Sequence, residues 1–484
     1  MNTKYSLLIL SISVLIFGCG KSTETTVVKS KTGLLPGQTT TPVASINQPS
    51  TEDDFTHLNV GEIGTIESLD PLFAQNNSEL RAIHLVYDGL TRLSENGSIA
   101  PALASKWEVS PDSLRYTFHL RTNVYYHNSS KFSSGLGRRL SAKDVEKNFL
   151  RMGSVLVPDM AAKKFQSILG FENYTREQST VKNPSKRIIH TIEGLKVQDD
   201  STLTITLSRK DSNLLYNLAH PHASIYAEES IPKEGGPIME PIGTGAFYFA
   251  KKEPSKLIFA SNNDYYREIS IPDRLDIFYG LNEDQLLKNL TSRELNALIE
   301  LGPKTILSST DSLGNLNTNY ASNYKLEKES ATAKYQLYYN AESNQPNARD
   351  FVASLTSVFD ANKDRLGSIS SMATKNLATV TQRVDVSKLS VKVTHTINPF
   401  EEYLVNGLAS KFVANGATFS LNASYALNKD VAFSLVPHGE EAPVLTWKVP
   451  VHILKEKDHQ GISISSTPWN ISFNGFSSAM KDSQ

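Results

Sequence analysis

Cysteine is almost missing: the 484-residue chain has one, Cys19, beside 20 phenylalanines and 19 tyrosines. A single thiol closes no intramolecular disulfide, so burial and hydrogen bonding must hold the fold. Long apolar runs are also scarce. The run at residues 5–17, YSLLILSISVLIF, is shorter than the roughly 20 residues that span a bilayer, and no second run approaches that length. No charge of one sign prevails either, since 49 basic and 50 acidic residues leave a net charge of −1. That balance excludes the strongly basic face of a nucleic-acid binder. The 11 histidines include no His-Glu-x-x-His spacing, and His220-Pro221-His222 flanks a proline, which suits a loop. No Gly-x-Ser-x-Gly elbow is present, and the Gly-Lys-Ser at 20–22 lacks a glycine at position 15, which is Leu15. The metalloprotease, nucleophile-elbow and phosphate-loop classes thus have no candidate. No catalytic residue, metal ligand or cofactor is read from this chain.

What is present at the amino terminus is Lys4, then the uncharged run, then Gly18-Cys19. These are the proportions of a secretory signal peptide over residues 1–18. Ile16-Phe17-Gly18-Cys19 resembles the lipobox of bacterial lipoproteins, which implies lipidation at Cys19. Two acyl chains anchor stably where one is marginal. Of the 35 residues from 20 to 54, 12 are Ser or Thr, with Pro36, Pro42 and Pro49 among them and no periodic apolar pattern. Such a segment buries too little surface to offset its chain entropy, so residues 19–55 read as a flexible linker behind a lipid anchor.

The globule starts near Phe55. Asn77-Ser78 is expected to cap a helix carrying Leu80, Ile83, Val86, Tyr87 and Leu90 at helical spacing. Asn96-Gly97 signals a hairpin between Leu93 and Ile99. Leu114, Tyr116, Phe118 and Leu120 alternate with polar residues, the period of a half-buried strand. Trp107 alternates with Val109 and is expected to be buried. Ser141-Ala142-Lys143-Asp144 opens a further helix, and the stretch 195–207 reads as another hairpin. Strands and helices interleave without an internal repeat, so the class is mixed α/β (α+β).

Five stretches stand in one order: ESLDPLFAQNN (67–77), LVYDGLTRLSENGSIAPALASKWEVSPDSLRYTFHLRTNVYYH (85–127), LSAKDVEKNF (140–149), GLKVQDDSTLTITL (194–207) and PIGTGAFYFAKKEPSKLIFASNNDYY (241–266). Together they resemble the extracellular solute-binding proteins of family 5, the oligopeptide- and dipeptide-binding group that feeds ABC importers. The likeness thins over 335–366, 401–421 and 449–473. Two pieces of the family pattern differ here: 290–302 replaces a short turn, and the long acid-bearing segment of the second lobe shrinks to VPHGEEAPVLTWK (436–448).

The resemblance implies a two-lobed periplasmic binding protein fold, type II-like, with a ligand cleft between the lobes and a reduced second lobe. Lobe I is expected over 56–270, with 446–484 returning to it, and lobe II over 271–445. The resemblance also implies ligand contacts from Thr65, Ile66 and Glu67, from Asn76, from Gly243, Thr244 and Gly245, and from Asn340. Glu440, with Glu441, is the nearest carboxylate to the missing acid that would meet a peptide amine. Glycines at 243 and 245 have an alternative structural reading as a turn. The expected partners are a peptide or other small-molecule ligand, an ABC permease in the inner membrane and, through Cys19, the lipid bilayer. A monomer on the periplasmic side of a bacterial membrane, inner or outer, is expected. A second reading stays open: a degenerate binding fold that serves as an anchored sensor or interaction protein without transport.

Overall fold

The computed structural model describes residues 56–233, 235–269, 271–355, 370–373, 384–395, 398–423, 429–435, 443–459 and 461–473. Cys19, the segment before residue 56 and Glu440 lie outside them. Eleven strands form one long sheet: β1 (His57–Glu62), β2 (Phe247–Glu253), β3 (Lys256–Ser261), β4 (Arg274–Phe278), β5 (Ala297–Ile299), β6 (Tyr324–Tyr339), β7 (Ser370–Ala373), β8 (Ser390–His395), β9 (Thr418–Ala423), β10 (Phe433–Ser434) and β11 (Leu445–Glu456). The order across the sheet is β9-β8-β10-β6-β11-β5-β1-β4-β3-β2, and β7 pairs with β11.

β1 lies parallel to β4 on one side and to β5 on the other. A parallel strand covered on both faces is apolar on both, and Leu58, Val60 and the whole of β5 are buried accordingly. β6 and β11 are the longest strands, 16 and 12 residues. They pair antiparallel, with a register shift between Lys328 and Thr332. On one side of the shift, residues 324–328 face 452–456, and β11 passes on to β5. On the other side, residues 332–337 face 445–450, with β7 and β10 alongside. Pro450 sits opposite Thr332 at the shift, where a residue without an N–H does least harm to the ladder. Among the described residues, these two strands are the ones that both halves of the sheet share. β4 and β5, which fall within the 271–445 stretch, pair in the half that holds β1. Beyond the shift, β8 has parallel partners in β9 and β10.

A separate antiparallel sheet of four strands has the order Ala104–Val109, Arg115–Leu120, Thr202–Thr206, Leu195–Asp199. It packs with the helix Ala142–Met152 around its own apolar cluster, which includes Phe118, Phe149, Phe165 and Phe171. Ser141 and Asp144 form the capping box that starts this helix. The strand 115–120 alternates as the sequence indicates, and Gly97 turns the 91–101 hairpin at φ +79°.

Trp107 departs from its expected burial. A register shift between Ala104 and Lys106 changes the phase of the strand, so Val109 is 45 % exposed and Trp107 only half-buried, its ring 6.4 Å from Phe118. The fully enclosed tryptophan is Trp447 on β11, at 0 % exposure. Trp447→Ala should therefore cost about 3–5 kcal/mol in chemical denaturation. Trp107→Ala should cost only about 1 kcal/mol. Equal losses for the two variants would contradict this placement.

Candidate functional site

Crevices beyond the carboxyl ends of parallel strands collect loops and helix N-termini, which supply free backbone donors. β4, β1 and β5 end at Phe278, Glu62 and Ile299 on one edge of the sheet. From there the chain enters helix α2 (Glu283–Thr291), the loop 63–76 ahead of helix α1 (Asn77–Val86), and helix α3 (Pro303–Ser309). In the other half, β8 ends at His395 and leads to helix α4 (Pro399–Ala414), capped by the Asn398 side chain on the N–H groups of Phe400 and Glu401. α3 and α4 touch, and beside them opens a groove of about 510 Å³. Glu283, Lys304 and Leu307 line it from one half, and Glu402, Tyr403 and Asn406 from the other. A hollow of about 530 Å³ edged by Lys143, Glu146 and Lys196 lies against the edge strand Leu195–Asp199 of the four-stranded sheet.

The loop 63–76 is held by one buried carboxylate. Glu79 accepts from the backbone N–H of Glu67 at 2.9 Å, Ser68 at 3.2 Å and Gln75 at 2.7 Å. Burial pushes its pKa up, against the pull of those three bonds. Asn76, not Asn77, is the helix cap: its Oδ1 accepts from Glu79 N at 3.0 Å, and its Nδ2 donates to Thr65 O at 3.1 Å. Lys252 on β2 donates to the carbonyls of Ile66 and Glu67 at 3.2 and 3.1 Å. Thr65, Ile66, Glu67 and Asn76 are thus brought together at the amino end of α1.

Beneath them lies a buried ionic cluster. Arg81 on α1 donates to Glu62 at 2.7 and 2.5 Å and to the carbonyl of Pro468 at 2.6 Å, and it pairs with Glu300 at 2.7 Å. Ser78 adds a bond to Glu62, and Asn77 one to Glu300 at 3.1 Å. Tyr335 of β6 reaches Glu300 at 3.4 Å. Burial alone would lower the Arg81 pKa, but the two carboxylates outweigh it and hold the guanidinium above its ordinary value. Glu300 adopts φ +55°, a left-handed conformation that costs about 1–3 kcal/mol and persists where surrounding bonds fix it.

Gly243, Thr244 and Gly245 lie at the opposite end of α1, whose ten residues separate them from Thr65–Glu67 by about 15 Å. A Cβ on Gly243 would stand 1.9 Å from Val86 O, and one on Gly245 2.5 Å from Leu85 O. Both glycines are therefore demanded by the close approach of the loop to the helix. Thr244 is 1 % exposed, and its hydroxyl donates to Asp88 at 3.2 Å. His127 bonds both neighbouring carbonyls, through its backbone to Gly243 and through its ring to Gly245 at 2.9 Å. Burial pushes that imidazole down to about 4, which keeps it neutral. Asn340 is buried where β6 ends: its Nδ2 donates to Val431 O at 2.9 Å, and its Oδ1 accepts from Glu342 N at 3.1 Å.

The Arg81 cluster has no counterpart in the sequence reading. Glu62, Arg81 and Glu300 are ordinary charges in the chain, and only the strand register and the helix face bring them together. Asp70 of the ESLDP stretch is also internal: Arg151 binds its two oxygens at 3.0 and 2.5 Å, and the N–H groups of Leu72 and Ile238 cap it.

Comparison with known proteins adds to this geometry. The profile of the bacterial extracellular solute-binding proteins, family 5 (Middle), matches residues 98–346. The di/tripeptide-binding protein 1 of Pseudomonas aeruginosa is 28 % identical over 302 residues, which cover 60 % of this chain and 52 % of that protein. The heme-binding protein A of Haemophilus influenzae is 32 % identical over 200 residues, 40 % of this chain and 34 % of that one. The matches therefore span about half, or less, of the length of these relatives. The periplasmic binding protein DppA of Helicobacter pylori, solved with the peptide STSA, superposes with a TM-score of 0.63 at 16 % identity, covering 86 % of this chain and 98 % of that one. The fold is accordingly the two-lobed periplasmic binding protein fold.

Replacing Arg81 by Met would strand two buried carboxylates, so the variant should lose about 3–5 kcal/mol, read from the urea midpoint. A midpoint within error of the parent would remove the cluster from its structural role.

Proposed function

Because the chain belongs to the bacterial extracellular solute-binding proteins of family 5, we propose that it captures a small peptide in the crevice between its lobes and delivers it to an ABC importer. The observation that carries this reading is the groove of about 510 Å³ bordered by helices from both halves, within the ~300–1,000 Å³ of small-ligand sites. The halves share β6 and β11 among the described residues, and the register shift at 328–332, opposite Pro450, gives them a place to bend. The lobe division then falls there, with 56–328 and 452–473 in the first lobe and 332–450 in the second. A peptide suits this crevice because its backbone can be bound as an added strand whatever its side chains are, and the similarity to a di/tripeptide-binding protein points the same way.

In this reading Glu283, Lys304 and Leu307 line the groove from the first lobe, and Thr65, Ile66, Glu67 and Asn76, at the same edge of the sheet, extend that wall. Gly243, Thr244 and Gly245 serve it from behind by fixing α1, and Asn340 fixes the base of the second lobe. Glu402, exposed on the first turn of α4 and facing the groove, meets the peptide ammonium; Glu440 is the alternative acid. The protein binds without catalysing a reaction. It acts as a monomer on the periplasmic side of a bacterial membrane, anchored through lipid on Cys19.

Calorimetry with di- to pentapeptides and their N-acetylated forms tests the ligand class. Free-amine peptides should bind. Both N-acetylation and Glu402→Gln should weaken binding tenfold or more, the loss of one charge-assisted hydrogen bond at about 1.5–3 kcal/mol. If no peptide binds and no ligand copurifies with the protein, the anchored sensor or interaction protein takes its place.

The anchor has its own test. Cys19→Ser should move the protein from the membrane to the soluble fraction and abolish labelling by radioactive palmitate. A variant that stays in the membrane at the processed size would overturn lipidation.

A further inference from the structure

A second cavity, of about 90 Å³, lies at the carboxyl end of α1, remote from the inter-lobe groove. Its walls come from His84, the stretch 88–95, the start of β2, the residues Tyr265, Arg267, Ile269 and Ile271, and Ser465 with 470–473 near the carboxyl-terminal hairpin. Two guanidinium groups, Arg92 and Arg267, line it. Both residues are half-buried, and among the described residues neither has a carboxylate within ion-pair distance. This sets them apart from Arg81, Arg138, Arg151 and Arg274, each of which holds a carboxylate at 2.8 Å or less.

The acid closest to hand is already occupied. Asp88 takes the Tyr265 hydroxyl on one oxygen at 2.9 Å and the Thr244 hydroxyl on the other at 3.2 Å. Glu95 sits at the exposed rim. The Arg92 Nε is enclosed and has no hydrogen-bond partner, and the one bond its guanidinium makes is a long one, 3.5 Å to Leu93 O. Arg267 stacks over the Tyr265 ring at 6.0 Å. Burial and the repulsion of Arg267 both pull the Arg92 pKa below its ordinary value, whereas the nearby Tyr265, Tyr266 and Asp88 outweigh burial and hold Arg267 above its own. Further donors converge there. Ser465 accepts from Asn470 at 3.2 Å and keeps its own proton to give.

We propose that this cavity is a binding site for a small oxyanion, a carboxylate or a phosphate, held between the guanidinium groups of Arg92 and Arg267. An enclosed guanidinium N–H without an acceptor is costly, and the planar fork of arginine matches the paired oxygens of these anions. A cavity of about 90 Å³ has room for acetate or inorganic phosphate. It shares no lining residue with the inter-lobe groove and is independent of it.

The full chain, titrated with sodium acetate and sodium phosphate against sodium chloride at equal ionic strength, supplies the test. One or both oxyanions should raise the melting temperature saturably above the chloride control. Arg267→Gln and Arg92→Gln should each weaken the apparent Kd at least tenfold, and Arg267→Lys should weaken it less than Arg267→Gln. Which anion acts identifies the source of the oxygens. A parent protein that responds to neither anion beyond chloride overturns the site, whatever the variants do. An oxyanion shift that persists undiminished in folded Arg267→Gln and Arg92→Gln overturns it as well.

Discussion

The Arg81 guanidinium joins four stretches of chain that lie far apart in sequence: the end of β1 through Glu62, α1 through its own backbone, the exit of β5 through Glu300, and the carboxyl-terminal return through Pro468 O. Every other feature of the crevice edge is hung from these. The loop 63–76 is pinned by Glu79 of α1, and Glu300, which Arg81 holds, lies between the end of β5 and the start of α3. Buried ion pairs are poor sources of net stability, since desolvation consumes most of their attraction. Their value here is registration. One cation with two carboxylates, both also bonded to Ser78, Asn77 or Tyr335, fits one arrangement of strands and helix and penalises slipped ones.

Two of the motifs that carry the family resemblance are scaffold. Asp70 of the ESLDP stretch is sealed under Arg151, and Gly243-Thr244-Gly245 is a close-packing joint against the last turn of α1. The groove is lined by residues of little pattern, such as Leu307, Glu402 and Asn406. This division has a physical reason. A shared fold constrains the buried joints that make it, while the walls of the crevice are free to differ with the ligand.

Much of the fold was legible because its signals are local. The alternation of 115–120 and the Ser141 capping box each depend on a few neighbouring residues, and the structure reproduces them. Where a non-local event intervened, the reading slipped. One bulge between Ala104 and Lys106 turned Trp107 partly outward, and the cap of α1 moved by one residue because Asn76 is tied back to Thr65 O. The Arg81 cluster and the Arg92–Arg267 cavity could not be read at all, because a charge in a sequence carries no sign of whether it will meet a partner across a sheet. The structure ties Asn76 to Thr65 O, while the Gly-Thr-Gly loop, grouped with Thr65–Glu67 by family analogy, stands a helix length away from them.

The pairing of β6 with β11 also fixes where the second half begins and ends. The chain leaves the first half near residue 328 and re-enters it near 450, and adjacent strands lie about 4.8 Å apart. The entry and exit points of that half are therefore side by side, and it is in effect a cassette spliced into a continuous host. Its contents can lengthen, shorten or be exchanged without moving the ends that the host must accommodate. The stretch 436–448 falls inside the cassette by its place in the sequence, so a change in its length is one that β1, α1 and their buried arginine need not register.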